Sequence, residues 1–211
     1  MVGNSNQSNQ SSLETSYDVV GIGNAIVDVI SHESENFLQD HDLVKNSMTL
    51  IETDMAVALY NEMSPTLQSS GGSAANTMSG IASLGGKAGY IGKIRNDHLG
   101  EFFSHDINAA GVDFVVKPAK EGLPTARSMI VVTPDGARTM STYLGISTNL
   151  RKDDLDVELL ESAQILYCEG YIWDIETTKD TIRSAIAIAK DANRTISFTL
   201  SDSFCVSRHK E

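Results

Sequence analysis

The run Gly21-Ile22-Gly23-Asn24-Ala25-Ile26-Val27-Asp28 holds the first side chains equipped for chemistry. Two glycines close a short apolar segment, and an amide and a carboxylate follow four residues apart. A dinucleotide site would need Gly-x-Gly-x-x-Gly opening a helix. Position 26 is Ile, and the residues after it favour a strand, so that reading fails on two counts. Two readings remain. Asn24 is a turn residue and Asp28 a solvated charge, or both project from a strand end toward a polar ligand. In the second case Asp28 accepts hydrogen bonds from two adjacent hydroxyls.

Gly71-Gly72-Ser73-Ala74-Ala75-Asn76 is the second such run. Glycines let a ligand approach the backbone, and a helix start offers free amides. Asn76, one turn inside, carries both a donor and an acceptor for a sugar hydroxyl. An ordinary glycine loop before an amphipathic helix accounts for the same letters, and only the pairing with Asn24 and Asp28 argues for a ligand. In Gly92 to Gly100, Asp97 is expected as a helix cap rather than a catalytic group. Arg138 opens the second arm of a hairpin. It is a solvated charge, or, if the hairpin folds over substrate, it steadies charge on a transferring phosphoryl group. The five histidines (32, 41, 98, 105 and 209) have no companion at metal-ligand spacing, and Cys168 and Cys205 form no CxxC. No metal site is expected, and both cysteines are expected reduced and buried.

The elements that must position these groups are legible from periodicity. Residues 18–22 and 27–31 suit strands, and Thr53 would cap a helix carrying Met55, Leu59 and Met63. Ser69 to Ser73 reads as a flexible loop. Ser73 would cap a helix with Ala74, Met78, Ile81 and Ala82 on one face, ending at Gly85. Lys87 to Ile94 is an expected strand. A helix with Leu99, Phe102, Phe103 and Ile107 on one face follows and stops at Gly111. Residues 126–133 and 138–144 form a hairpin around Pro134-Asp135-Gly136, its second arm alternating with one face wet or over a ligand. Beyond Asp156 come a short helix, a strand at 165–169, a helix from about 174 to 193, and a strand at 195–200. No helix is expected after Leu200, which leaves an exposed sheet edge. Strands alternating with helices predict an α/β fold with a mostly parallel sheet and a second, small β layer.

The chain has 211 residues and a formal net charge of −12, which disfavours nucleic acid as a partner. No apolar run approaches the ~20 residues of a membrane span. Residues 1–16 are rich in Asn, Gln and Ser and lack the pattern of a signal peptide, so a disordered tail and a cytoplasmic location are expected.

Together, Gly23 to Asp28, Gly71 to Asn76 and Gly92 to Gly100 resemble, in order and spacing, the N-terminal signature of the ribokinase-like, or PfkB, carbohydrate and nucleoside kinases. Val132 to Met140, Thr142 to Gly145, Glu169 to Asp174 and Leu200 to Phe204 are similar to the bacterial adenosine kinases of that family. The resemblance implies that residues 17–211 are the N-terminal portion of a ribokinase-like domain, with lid excursions near 28–51 and 113–146. It implies an ATP- and Mg2+-dependent kinase acting on the 5'-hydroxyl of adenosine. Alternatives are a kinase of a ribose- or fructose-type sugar, or a non-catalytic nucleoside- or sugar-binding remnant. Asp28, Gly72 and Asn76 would grip the sugar, Asn24, Gly71 and Ser73 would line the pocket, and Arg138 would serve the lid. Tyr143 is a candidate purine-stacking surface or a core contact. Lid-to-lid homodimers are also implied. The family's Gly-Ala-Gly-Asp run, source of the catalytic aspartate, does not occur in these 211 residues.

Overall fold

The computed structural model describes residues 15–64 and 66–210; the expected tail lies almost wholly outside them. Along the chain come β1 (Tyr17–Ile22), β2 (Ile26–His32), α1 (Glu35–Asp40), β3 (Met48–Leu50), α2 (Thr53–Glu62), β4 (Leu67–Gly71), α3 (Ser73–Ser83) and β5 (Ala88–Ile91). They are followed by α4 (His98–Ala109), β6 (Val112–Asp113), β7 (Ala126–Val132), β8 (Arg138–Tyr143), α5 (Val157–Ser162), β9 (Ala163–Cys168), α6 (Glu176–Asp191), β10 (Thr195–Phe198) and α7 (Ser203–Arg208).

Two five-stranded sheets result. The first has the order β10-β9-β1-β5-β6 and is parallel throughout. The crossovers between its strands place helices on both faces. On one face, α5 and α6 bury Leu160, Ile182, Ala185 and Ala189 against Val20, Ile22 and Leu166. On the other, α3 and α4 bury Met78, Phe103 and Ile107 against Tyr90. Gly21 permits the close approach of α3, because a Cβ there would lie 2.8 Å from Met78 Cγ.

The second sheet has the order β3-β8-β7-β2-β4 and mixes parallel and antiparallel pairs. Its register decides which residues share a face, because side chains alternate along each strand. Asp28 lies level with Ser69 on one side and Ser128 on the other, and Ser128 is level with Thr142. These residues face away from α2 and α4. Val27, Val29, Met129 and Tyr143 point the opposite way, into the cores beneath. The two sheets are joined between β1 and β2 by only Gly23, Asn24 and Ala25.

Several expectations are corrected. Ser69 to Gly71 is the end of a strand, not a loop, because pairing with β2 supplies the extended conformation that small polar side chains do not favour by themselves. The start of α3 is capped by Gly72 and that of α2 by Glu52, one residue earlier than expected in each case, and neither makes a side-chain capping bond. Met55 on α2 is exposed, and Ala56 and Leu59 form its buried stripe. The strand expected over 87–94 is shorter, and a short helix, α7, does follow Leu200. That helix packs beside the Gly170–Asp174 turn and leaves β10 as an edge strand. The hairpin, the stops at Gly85 and Gly111, and the Asp97 cap stand as expected.

Candidate functional site

The crossing from one sheet to the other brings the two glycine-containing runs together. Asp28 projects from the middle of β2 over the end of β4, where a Cβ on Gly71 would fall 2.4 Å from its carboxyl carbon. Gly72 has φ +96°, and a Cβ there would lie 2.3 Å from the carbonyl oxygen of Asn24. Both glycines are therefore dictated by contact, and Gly72 by backbone conformation as well. Half-buried and without a hydrogen-bond donor among the described residues, Asp28 is an unused acceptor. Burial raises its pKa to about 6, and the positive charge of Arg138 opposes that rise.

Glu169 stands at the other end of the diglycine segment, just past β9, and is 1% exposed. Its carboxylate accepts from the Asn24 amide at 2.6 Å, from the Ser73 hydroxyl, and from the Ser73 and Ala74 amides at the start of α3. Gly23 makes this possible, since a Cβ there would lie 2.5 Å from Glu169 Oε2. Burial raises the pKa of Glu169 and these donors counter it. Sequence reasoning passed over this residue. Its only local signal was a carboxylate ending an otherwise apolar strand.

Asn76 is exposed one turn into α3, and its amide bonds the Gly72 carbonyl at 2.9 Å. The hydroxyls of Ser128 and Thr142 bond each other at 2.8 Å on the Asp28 face, and they too were missed. Arg138 shares that face but not that level. It is paired with Val132, four residues along the hairpin from the Ser128–Thr142 pair, roughly 13 Å at strand rise. Tyr143 corrects the stacking expectation. One residue beyond Thr142, it faces the other way and packs with Ile51, Ala56, Leu59 and Met129 in the core under α2. Asp28 is flanked on its face by Ser69, Ser128 and Thr142, and the margins of that face are aliphatic, with Met48 43%, Leu50 54% and Leu67 70% exposed.

Asp97 has a structural role: its oxygens accept from Gly100 N, Thr125 N and Thr125 Oγ1 at 2.7–2.9 Å. Cys168 and Cys205 are free and buried. His209 has neighbours in space that its sequence spacing did not reveal, since its ligand atom, Cys205 Sγ and an Asp174 oxygen lie within 4.8 Å of one another. Arg208 already holds both Asp174 oxygens at 2.7 and 3.1 Å, which makes this an ion-paired cluster. A cavity of about 390 Å3 beside Asp153–Leu159 and an open groove of about 580 Å3 on the outer side of α4 by Pro118 lie elsewhere and do not touch Asp28.

A profile described as pfkB family carbohydrate kinase matches residues 41–206. The chain belongs to this family. Among curated relatives it is 28% identical over 155 residues to "Probable fructokinase-2" of Arabidopsis thaliana, covering 70% of this chain and 45% of that one. Among solved structures it is similar to the adenosine kinase from Sinorhizobium meliloti, with 49% identity and a TM-score of 0.85, covering 92% of this chain and 60% of that one. A probable sugar kinase from Rhizobium etli gives 48% identity and a TM-score of 0.85, covering 93% and 59%. The pfkB chain thus spans less than half of that curated relative and about three-fifths of the structural ones, and its fold is ribokinase-like. No helix among the described residues is long and apolar enough to cross a membrane.

Proposed function

We propose that this chain is the sugar-gripping portion of an ATP-dependent kinase that phosphorylates the 5'-hydroxyl of adenosine. The observation that carries the reading is the half-buried Asp28 carboxylate, lying without a donor against Gly71 and pointing away from the core. Such a group binds two neighbouring ribose hydroxyls, each donating to one oxygen. Asn76 supplies a further donor and acceptor, while Asn24, Gly72 and Ser73 form the floor. The aliphatic margins of the second sheet's Asp28 face, Leu67 and Leu50, offer an apolar surface for a purine. That sheet acts as a lid, and Arg138 at its far end reaches phosphate charge only when the lid closes. The similarity to the Sinorhizobium enzyme at 49% identity supports adenosine among family substrates.

ATP and Mg2+ are implied for the whole enzyme, but the residues present here do not fit them. No Gly-Ala-Gly-Asp run occurs in the chain, and the acidic groups at the site are committed to sugar hydroxyls or to internal amides. The 211 residues alone are therefore expected to bind without turning over. A coupled ADP-release assay with adenosine and Mg-ATP checks this, and turnover above background overturns it.

A second reading, a fructose- or ribose-type sugar, is favoured by the absence of any Phe, Tyr or Trp from the Asp28 face among the described residues. Calorimetry with adenosine, fructose and ribose separates the two. Adenosine heat that disappears in Asp28→Ala supports the first; heat with fructose or ribose alone supports the second.

A further inference from the structure

Glu169 is a buried carboxylate whose donors, among the described residues, are amides and a hydroxyl. Its partners are the amides of Asn24, Ser73 and Ala74 and the Ser73 hydroxyl. Amides converging from a turn and a helix start form the kind of cradle that elsewhere holds an external oxyanion. Here the protein fills the cradle with its own negative charge, delivered from a third element, the end of β9. Gly72 has no side chain to cap α3, and Glu169 supplies that cap from 97 residues away in sequence from Gly72. Gly23 and Gly170 flank the delivery. A Cβ on Gly170 would lie 2.6 Å from the Thr199 carbonyl oxygen, so the chain carrying Glu169 is held closely from behind.

We propose that Glu169 is a positioning and specificity-determining residue of the sugar site. It locks the start of α3 to the Asn24 turn and excludes anionic groups from that end of the cleft, so that only an uncharged polyol fits there. The inference rests on the sugar-site reading above. A phosphate group approaching the start of α3 meets amides that are already satisfied and a carboxylate in surroundings of low dielectric, where like charges repel more strongly than in water. Asp28 beyond Gly71 places a second carboxylate at the other end of the diglycine segment. A neutral hydroxyl donates to the unpartnered Asp28, whereas a phosphate dianion cannot.

The test uses the 211-residue chain and inorganic phosphate as the probe, so its outcome does not depend on which sugar binds. Phosphate is expected to leave the amide resonances of Asn24, Ser73 and Ala74 unmoved in the wild type. In Glu169→Ala it should shift them and raise the Tm, because the emptied cradle takes the ion. Formate, the severed carboxylate, should do the same. If Glu169→Ala is unfolded in plain buffer, formate restores near-ultraviolet dichroism, and Glu169→Ser, which keeps a hydroxyl acceptor, serves for the phosphate titration. Phosphate shifting those amides in the wild type overturns the proposal. So does a folded Glu169→Ala or Glu169→Ser chain that ignores phosphate and formate alike, or the failure of formate to refold the alanine chain. Adenosine titrated in parallel reports on the proposed substrate alone: its failure to bind removes adenosine and leaves the phosphate result standing.

Discussion

At the scale of single residues, the site holds a carboxylate in surroundings that oppose its charge. The folded-state pKa of Asp28, about 6, lies above the ordinary carboxylate value, so between about pH 4 and pH 6 the native chain holds a proton that the unfolded chain has lost. Stability therefore falls as pH rises through that window, and the penalty is fully present above it. A rise of that size costs about 3 kcal/mol at most. Asp28→Asn should remove that slope, raising the midpoint of urea unfolding at pH 7.5 while leaving it little changed at pH 4. The same variant should lose sugar binding. In the wild type, sugar affinity should rise with pH through about 6, because the ionised form is the acceptor; a flat binding profile by calorimetry contradicts this. Gly72 is a second such case. Gly72→Ala forces a side chain into φ +96° and against the Asn24 carbonyl. A loss on the order of 2–4 kcal/mol is expected in urea unfolding, together with loss of sugar binding.

At the scale of elements, alternation along β8 decides what the hairpin can offer a ligand. Thr142 is level with Asp28 and Tyr143 is not, so the phenol belongs to the core, where its hydroxyl has no partner among the described residues. Tyr143→Phe should leave ligand affinity unchanged and stability equal or up to about 1 kcal/mol higher. Tyr143→Ala should cost about 3–5 kcal/mol as a cavity opens under α2. A large affinity loss in Tyr143→Phe would return the residue to the site. The same register shows what was legible in advance. Helices with strong apolar stripes, such as the one bearing Phe103 and Ile107, and the hairpin around Pro134-Asp135-Gly136 were readable because local pattern and turn chemistry fix them. β4 was not, because Ser69, Ser70 and Gly71 take their extended form from β2, a partner about 40 residues upstream that leaves no local mark. Asp28 and Gly72 were recognisable by type and order. Glu169 was hidden because its donors lie about 95 and 145 residues away, and no spacing within a window reports them.

At the scale of the molecule, the parallel sheet ends at β10, an edge strand, where Phe198 on the strand, Leu200 just after it and Phe204 on α7 are exposed. Edges of this kind pair with further strands or with each other. The chain of 211 residues should therefore self-associate with rising concentration, despite its net charge of −12. Leu200→Lys with Phe204→Glu should shift sedimentation toward the monomer, and identical sedimentation of the variant and the wild type counts against the edge.

The two shortest passages between the layers are Gly23, Asn24 and Ala25 and, returning alongside, Gly72; longer links run through 114–125 and 144–156. If the sheet carrying Asp28 swings as a lid, as proposed above, it bends these short passages, and their carbonyls and amides also border the proposed sugar berth. Pivot and grip are thus one piece of backbone. A ligand that stiffens the berth stiffens the axle, and a substitution that loosens the axle is felt as weaker holding before any change of shape is seen.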